Sequence, residues 1–222
     1  MKKIVLLLLS ALAISVAGPY PYTHDGFFFN LALGMGYQNL ESDRHEESFD
    51  LNETARGSAF EFDMKIGGRI LPFTILHYTS VGLSNFADFE VDDYHRRSRY
   101  DNYYGYYDYD DVMYKDDESS TICIMTLQGL GVTRYFRPYN IFASVSVGAS
   151  LFYVNSNNGI GSKKGVLGYG FQVAGGKEWW IRENLGIGAQ MSLTYGSADY
   201  PKRVNASISA FAINFMATVT FN

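Results

Sequence analysis

Ala210-Phe211-Ala212-Ile213-Asn214-Phe215-Met216-Ala217-Thr218-Val219-Thr220-Phe221 decides the fold. Phe211, Ile213, Phe215, Ala217, Val219 and Phe221 share one parity, while Ala210, Ala212, Asn214, Met216, Thr218 and Thr220 share the other. Successive side chains of a strand point to opposite faces, so the segment presents one wholly apolar surface and one mixed surface. In water the apolar surface needs a covering layer, and the chain offers no helix or spare sheet to supply it. Lipid covers it if the sheet closes on itself, because only a closed sheet leaves no unpaired backbone groups in hydrocarbon.

Working back from this strand, seven more segments alternate in the same way. Strand 1, Phe27 to Tyr37, sends Phe27, Phe29, Leu31, Leu33, Met35 and Tyr37 outward. Strand 2 alternates Phe60, Phe62, Met64, Ile66 and Ile70 with Glu61, Asp63, Lys65, Gly67 and Arg69. Strand 3, about Phe73 to Gly82, fits two registers, with a bulge as one resolution. Strand 4 covers Thr121 to Phe136, strand 5 Ile141 to Tyr153, strand 6 Leu167 to Trp179 and strand 7 Leu185 to Tyr195. The connections Leu71-Pro72, Arg137 to Asn140 and Ile181 to Asn184 are tight turns, whereas Gln38 to Gly57, Leu83 to Ser120, Asn155 to Gly165 and Gly196 to Asn205 read as polar loops.

The first residues predict export. Lys2 and Lys3 precede an apolar run from Ile4 to Val16, and Ser15-Val16-Ala17 offers small residues for cleavage after Ala17. The run is shorter than the roughly 20 residues of a spanning helix, and Gly18-Pro19 ends it. Residues 1–17 are therefore expected to be a signal peptide and 18–222 one domain of 205 residues. Losing Lys2 and Lys3 leaves 16 basic against 23 acidic residues, a net charge of minus 7. Cys123 is the single cysteine, so no internal disulfide holds the domain. No later stretch is apolar for long enough to span as a helix, yet aromatics make up 16% of the chain, as expected where a lipid band is spread over alternating strands.

Long loops alternating with short turns imply an up-and-down barrel with turns and both mature termini on the periplasmic side. Tyr37, Tyr153 and Tyr195 fall near one interface and Phe136, Tyr139, Trp179, Trp180 and Phe221 near the other. From about Gly26 to Phe221 the chain resembles the small eight-stranded outer-membrane β-barrels, the class of the OmpA transmembrane domain, OmpX and the opacity-type surface proteins. Phe215 to Phe221 is similar to the terminal-strand signal that this family's barrel-assembly machinery reads, although Asn222 follows the aromatic here. The resemblance implies an outer-membrane location, contact with membrane lipid and lipopolysaccharide, and no cofactor.

An eight-stranded lumen is just filled by side chains, so a plugged barrel is expected. Glu61, Asp63, Lys65 and Arg69 point inward by parity, with Arg134 or Glu178 as further members of a lumen charge network, since charges removed from water need partners. An ion path or an acid–base carboxylate pair is the functional alternative.

Between Asn85 and Glu118 nine Asp and two Glu face three Arg and one Lys, a balance of minus 7. The same window holds Tyr94, Tyr100, Tyr103, Tyr104, Tyr106, Tyr107, Tyr109 and Tyr114. Tyrosine gives rigid contact area with a polar tip, which suits a surface that binds an extracellular ligand. A solvated loop, or a strand extension above the membrane packing its own tyrosines, stands beside that reading. Asp108, Asp110, Asp111, Asp116 and Asp117 lack the glycine and glutamate spacing of a calcium loop, so no metal is expected. Arg96, Arg97 and Arg99 are either lipopolysaccharide contacts or local partners of the acidic residues.

None of His24, His45, His77 and His95 stands at a spacing from serine or carboxylate that identifies a triad, and 159–165 lacks the phosphate-loop spacing and its following helix. Acidic loops disfavour nucleic acid. The expected protein is a non-enzymatic outer-membrane barrel with a structural or adhesive role. A narrow channel or small-molecule conduit and a lipid-modifying enzyme are the alternatives.

Overall fold

The computed structural model describes residues 24, 26–45, 49–96, 120–155, 165–200 and 205–222. They form β1 (Phe27–His45), β2 (Phe49–Leu71), β3 (Thr74–Arg96), β4 (Ser120–Phe136), β5 (Ile141–Asn155), β6 (Val166–Arg182), β7 (Leu185–Asp199) and β8 (Asn205–Phe221). Each strand pairs antiparallel with the next, and β1 pairs β8 from Phe29↔Phe221 to His45↔Asn205, closing the barrel. Residues 1–17, read as a signal peptide, lie outside the described residues, as do Tyr100, Tyr103, Tyr104, Tyr106, Tyr107, Tyr109 and Tyr114. Of Tyr94 only its place on β3, opposite Leu51, is described.

The described segments flanking β1 and β8 and the three tight turns share one end, here the turn end: Asn222 N–H donates to Asn184 O at 3.1 Å and Arg69 N–H to Gly26 O at 3.1 Å. Phe73 and Asn140 turn the chain through the left-handed region, with φ of 61° and 53°. Asparagine adopts this readily, whereas for phenylalanine it costs about 1–2 kcal/mol. Packing holds Phe73 there. Its ring meets the cluster of Phe28, Ile75, Tyr135 and Phe142, and its carbonyl accepts from Tyr135 N–H at 2.8 Å.

Outside the wall, apolar side chains stand uncovered on every strand: Met35 is 70% exposed and Phe215 68%, with Leu130, Val147, Leu167 and Met191 among the others. Wrapped round a closed sheet, that surface is the lipid face of a membrane-spanning barrel. Burying it in hydrocarbon replaces the second layer that a soluble sheet needs.

The alternation then changes sense along the strands. After Tyr37, β1 turns Asn39 and Glu41 outward and Leu40 inward. On β2, exposed Arg56 and Ser58 alternate with buried Ala55 and Ala59. On β8, Ile208 is buried between Ser207 and Ser209. Asn39 Nδ2 donates to Glu41 Oε1 at 2.8 Å and Arg56 Nε to Asn39 Oδ1 at 3.2 Å, a polar surface made for water. Inside, Leu40, Val81, Leu83, Met125, Leu127, Phe152 and Ile208 belong to one buried apolar cluster that also takes in Cys123. On β1, β2 and β8 the loop end is therefore of the water-soluble type, apolar within and polar without, whereas on β4, β5 and β6 Ile124, Leu151, Tyr153 and Leu167 keep the outer wall apolar beside the same cluster.

Strand length agrees. β2 and β3 have 23 residues each. At about 3.3 Å per residue and ~45° tilt they rise roughly 54 Å, about twice the ~25 Å apolar band. β5 and β7, with 15 residues each, rise only about 35 Å.

Three expectations are corrected. Most of Gln38 to Gly57 is paired strand, from Gln38↔Gly57 to His45↔Asp50, and β3 continues through Leu83 to Arg96 against β2. Where outward side chains are described, as at Asn39, Glu41, Arg56 and Ser58, they are polar, which marks emergence from lipid and not the end of pairing. Strand 3 has one unbroken register from Thr74 to Gly82. The β2–β3 irregularities lie elsewhere, between Asn52 and Glu53 and between Arg69 and Leu71.

Candidate functional site

The lumen is the enclosed chemical environment that these strands build, and it is filled in layers. Midway, β2 sends Glu61, Asp63 and Lys65 inward, all fully buried. Lys65 Nζ donates to Asp63 Oδ2 at 2.7 Å. Glu61 has no comparable cation contact and accepts instead from Gln172 Nε2 at 2.9 Å, Asn214 Nδ2 at 2.5 Å and Thr194 Oγ1 at 3.4 Å. Charge-assisted donors from three other strands thus replace a second ion pair. Gln190 Nε2 reaches Asp63 Oδ2 at 3.5 Å. The layer ties β2 to β6, β7 and β8 across the barrel.

Beside it lies an imidazole among hydroxyls. The two ring nitrogens of His77 face Thr79 Oγ1 and Thr133 Oγ1, each at 2.9 Å. Thr79 continues to Ser146 and Thr133 to Ser144, each at 2.9 Å. Gly131 makes room for this arrangement, since a Cβ there would come within 2.6 Å of His77 Cε1. Ser144 Oγ is 3.5 Å from Nε2, but among the described residues no carboxylate hydrogen-bonds the ring, and Ser144 and His77 are sealed inside the wall. A nucleophile–base–acid relay is not assembled here.

A plug occupies the turn end. His24, ahead of β1, stacks on Tyr135 with centroids 3.5 Å apart and tilts against Trp180 at 4.9 Å. Its Nδ1 lies 3.0 Å from Asn222 Oδ1 and its Nε2 3.2 Å from Asn140 Oδ1 and 3.7 Å from Glu178 Oε2. Burial lowers the His24 pKa below its ordinary value, against the opposing pull of Glu178. A neutral ring has one N–H, so one of the two amides must present its NH2 to the ring. Asn222 is the amide that fits, because its Nδ2 otherwise lacks a partner. Glu178 itself is seated against Gly186, where a Cβ would lie 2.7 Å from Oε1.

Of the expected charge network, the lumen brings together Glu61, Asp63 and Lys65. Glu178 also faces inward, but it joins the plug beside His24. Arg69 and Arg134 are placed elsewhere. Arg69 is exposed at the turn-end rim, where the strand leaves the lumen. Arg134 follows inward Thr133, so parity turns it outward, and Nη1 donates to Pro72 O at 2.8 Å and Thr74 Oγ1 at 2.6 Å. Gln172, His77 and the part played by Asn222 were missed. Inward parity flags Gln172, but neither its carboxylate partner nor the return of both chain ends to one mouth follows from strand periodicity.

No family model and no curated protein matches the sequence. Among solved structures, the chain is similar to the outer membrane protein AlkL in lipid bilayers, at 11% identity and a TM-score of 0.48 over 90% of this chain and 92% of that one. OprG from Pseudomonas aeruginosa gives 10% identity and 0.47 over 90% and 96%. The outer membrane protease OmpT from Escherichia coli gives 11% identity and 0.45 over 90% and 97%. At these values the likeness adds nothing to the barrel described above and assigns no role.

Proposed function

We propose that the chain, once residues 1–17 are removed, is a closed outer-membrane barrel that carries the acidic, tyrosine-rich segment around 97–119 as a surface for an extracellular ligand. In this reading the turn end and both termini face the periplasm, and the barrel-assembly machinery inserts the chain. The observation that carries it is the change of polarity along the strands: a barrel section with its own apolar core stands above the lipid band and holds the loop end clear of the membrane surface. A transport function does not call for such a packed section, whereas a raised contact surface does. The charged layer and the plug below support a lumen that holds the wall together and is not a passage, and nothing in the His77 layer favours an enzyme.

Deleting residues 98–117 spares every strand pair and tests the role. The variant is expected to fold, seen as the heat-dependent gel mobility of an intact barrel, while cells expressing it lose adherence to collagen-coated and mucin-coated surfaces. A folded variant with undiminished adherence refutes the surface-contact role. The apolar outer lumen is the one observation favouring a conduit for small apolar molecules or a narrow channel. Planar-bilayer recording decides this: steady unitary openings of the wild type would replace the closed-barrel reading.

A further inference from the structure

The outer wall at the loop end differs from side to side, and the strand register puts the two sides on one scale. Following paired neighbours from Phe29 on β1 across β2 to β8 returns to β1 at Asn39, a stagger of ten residues round the barrel. Each step from one strand to the next therefore climbs about 1.25 residues toward the loop end. On this scale Leu151 on β5 is level with Ser58 on β2, Tyr153 with Arg56, and Leu167 on β6 with Asn39 on β1. Each pair matches to within roughly a quarter of a residue, less than about 1 Å along the barrel axis.

At every one of these levels one side is apolar and the other polar. Leu151, Tyr153 and Leu167 are exposed, as is Ile124, which pairs with Tyr153. Across the barrel Arg56 and Ser58 are exposed, and Arg56 donates to Asn39 on the next strand. The apolar wall of β4 to β6 thus runs on beyond the level at which Tyr37 and Phe60 end it on β1 and β2. It is also unbroken: on β5 the outward row from Ile141 through Val145, Val147 and Leu151 to Tyr153 carries no polar group before the last hydroxyl. The high patch is therefore continuous with the lipid face below it.

The border at the turn end is displaced in the same sense. Arg134 on β4 and Lys177 on β6 face outward within about a residue of the level of apolar Phe29 on β1 and Val219 on β8. Each directs its charge to a turn carbonyl, Arg134 to Pro72 O and Lys177 to Tyr139 O. Beyond them the outward rings of Phe136 and Trp179 suit the headgroup level. A locally thicker apolar band would move the two borders apart, whereas an inclined axis moves both toward the loop end on one side.

We propose that the barrel sits obliquely in the bilayer, its axis leaning toward β5, so that acyl chains of the leaflet at the loop end cover Ile124, Leu151, Tyr153 and Leu167 while water covers the same levels of β1 and β2. The apolar border falls by roughly three residues, about 7 Å, across a backbone barrel roughly 17 Å wide, which is an inclination of about 20°. The lean puts β1 and β2 on the raised side and brings their polar outer wall, with Glu41 and Arg56, clear of lipid. It rests on the membrane-spanning reading and is independent of the surface-contact role.

The test uses the full mature chain folded in phosphatidylcholine vesicles, with a nitrobenzoxadiazole label on one introduced cysteine and the wild type, whose Cys123 is buried, as the labelling background. Quenching by nitroxides on the lipid acyl chains is compared with quenching by aqueous iodide. L151C and Y153C are expected to be quenched several-fold more by the acyl nitroxide than their level partners S58C and R56C, with the reverse order for iodide. L167C against N39C repeats the comparison if one of those variants fails to fold. Equal acyl-chain quenching within the pairs overturns the lean. Protection of L151C and Y153C from both quenchers also overturns it, since a second copy or another protein would then cover that face. M35C and V147C, at mid-band on opposite sides, meet the acyl nitroxide whether or not the axis leans, so their escape would instead count against the membrane barrel itself.

Discussion

Leu40→Ala separates a packed barrel extension from a loop. Leu40 is fully buried in the cluster with Leu83, Met125, Phe152 and Ile208, and its neighbour Glu41 is exposed. Truncation removes three carbons, worth about 2.4 kcal/mol at ~0.8 kcal/mol each. The cavity left in a rigid cluster raises the cost to about 3–5 kcal/mol. Were Gln38 to Gly57 a solvated loop, the same substitution would fall within about 0.5 kcal/mol of wild type. Glu41→Ala is the matched control and is expected within that margin. Reversible urea unfolding in lipid vesicles, followed by tryptophan fluorescence, gives both values. Equal small effects of Leu40→Ala and Glu41→Ala would refute the inverted core and, with it, the raised surface on which the proposed role depends.

The middle layer predicts a double-mutant cycle. Asp63→Asn strands Lys65 in the lumen and should destabilise by about 3–5 kcal/mol, whereas Asp63→Asn combined with Lys65→Met should recover most of that loss; additive unfolding energies would show that the pair does not act as one unit. The plug predicts a pH dependence. Burial depresses the folded-state pKa of His24, so the unfolded chain takes up a proton first, and stability present above the unfolded value of about 6.5 is lost as pH falls through that value toward the lower folded one. Glu178, Tyr135 and Arg137 face the ring and remain in His24→Gln, so the difference between wild-type and His24→Gln unfolding midpoints from pH 7.5 to 5 isolates the imidazole. A difference that stays constant across that range would rule out the buried neutral ring.

Much of the barrel was legible because lipid and strand impose separate, simple rules. Period-two alternation located the turn-end limits of β1, β5 and β8 at Phe27, Ile141 and Phe221, while the loop-end limits Tyr37 and Ala210 fall short of the observed His45 and Asn205, and turn chemistry placed Arg137 to Asn140. The failures share one cause. Outward polarity resembles the end of a strand, yet Asn39–Leu40–Glu41 and Ser207–Ile208–Ser209 still alternate, with the apolar residue now inside. The same inversion explains the ambiguity of strand 3: Leu76 and Tyr78 are its outward apolar pair, while Val81 and Leu83 are its inward one. Parity also bears on the site. It places Glu61, Asp63 and Lys65 inside; carried strictly along strand 4 it also turns Arg134 outward, against the expected place of that residue in the lumen network, and it is blind to Arg69, whose strand has passed the rim.

The order of the layers has a physical logic. At the membrane level the wall is covered by lipid and the lumen holds the polar groups, so specificity there comes from hydrogen bonds directed across the barrel, as from Gln172 and Asn214 to Glu61. Beyond the lipid, water covers the wall and an apolar lumen becomes the stabilising choice. At the opposite interface the segments that flank β1 and β8 are joined by side-chain contact. His24 and Asn222, 198 residues apart in sequence, meet at 3.0 Å. The packing gives Asn222 its part: an aromatic at that position would have no amide to offer the buried ring.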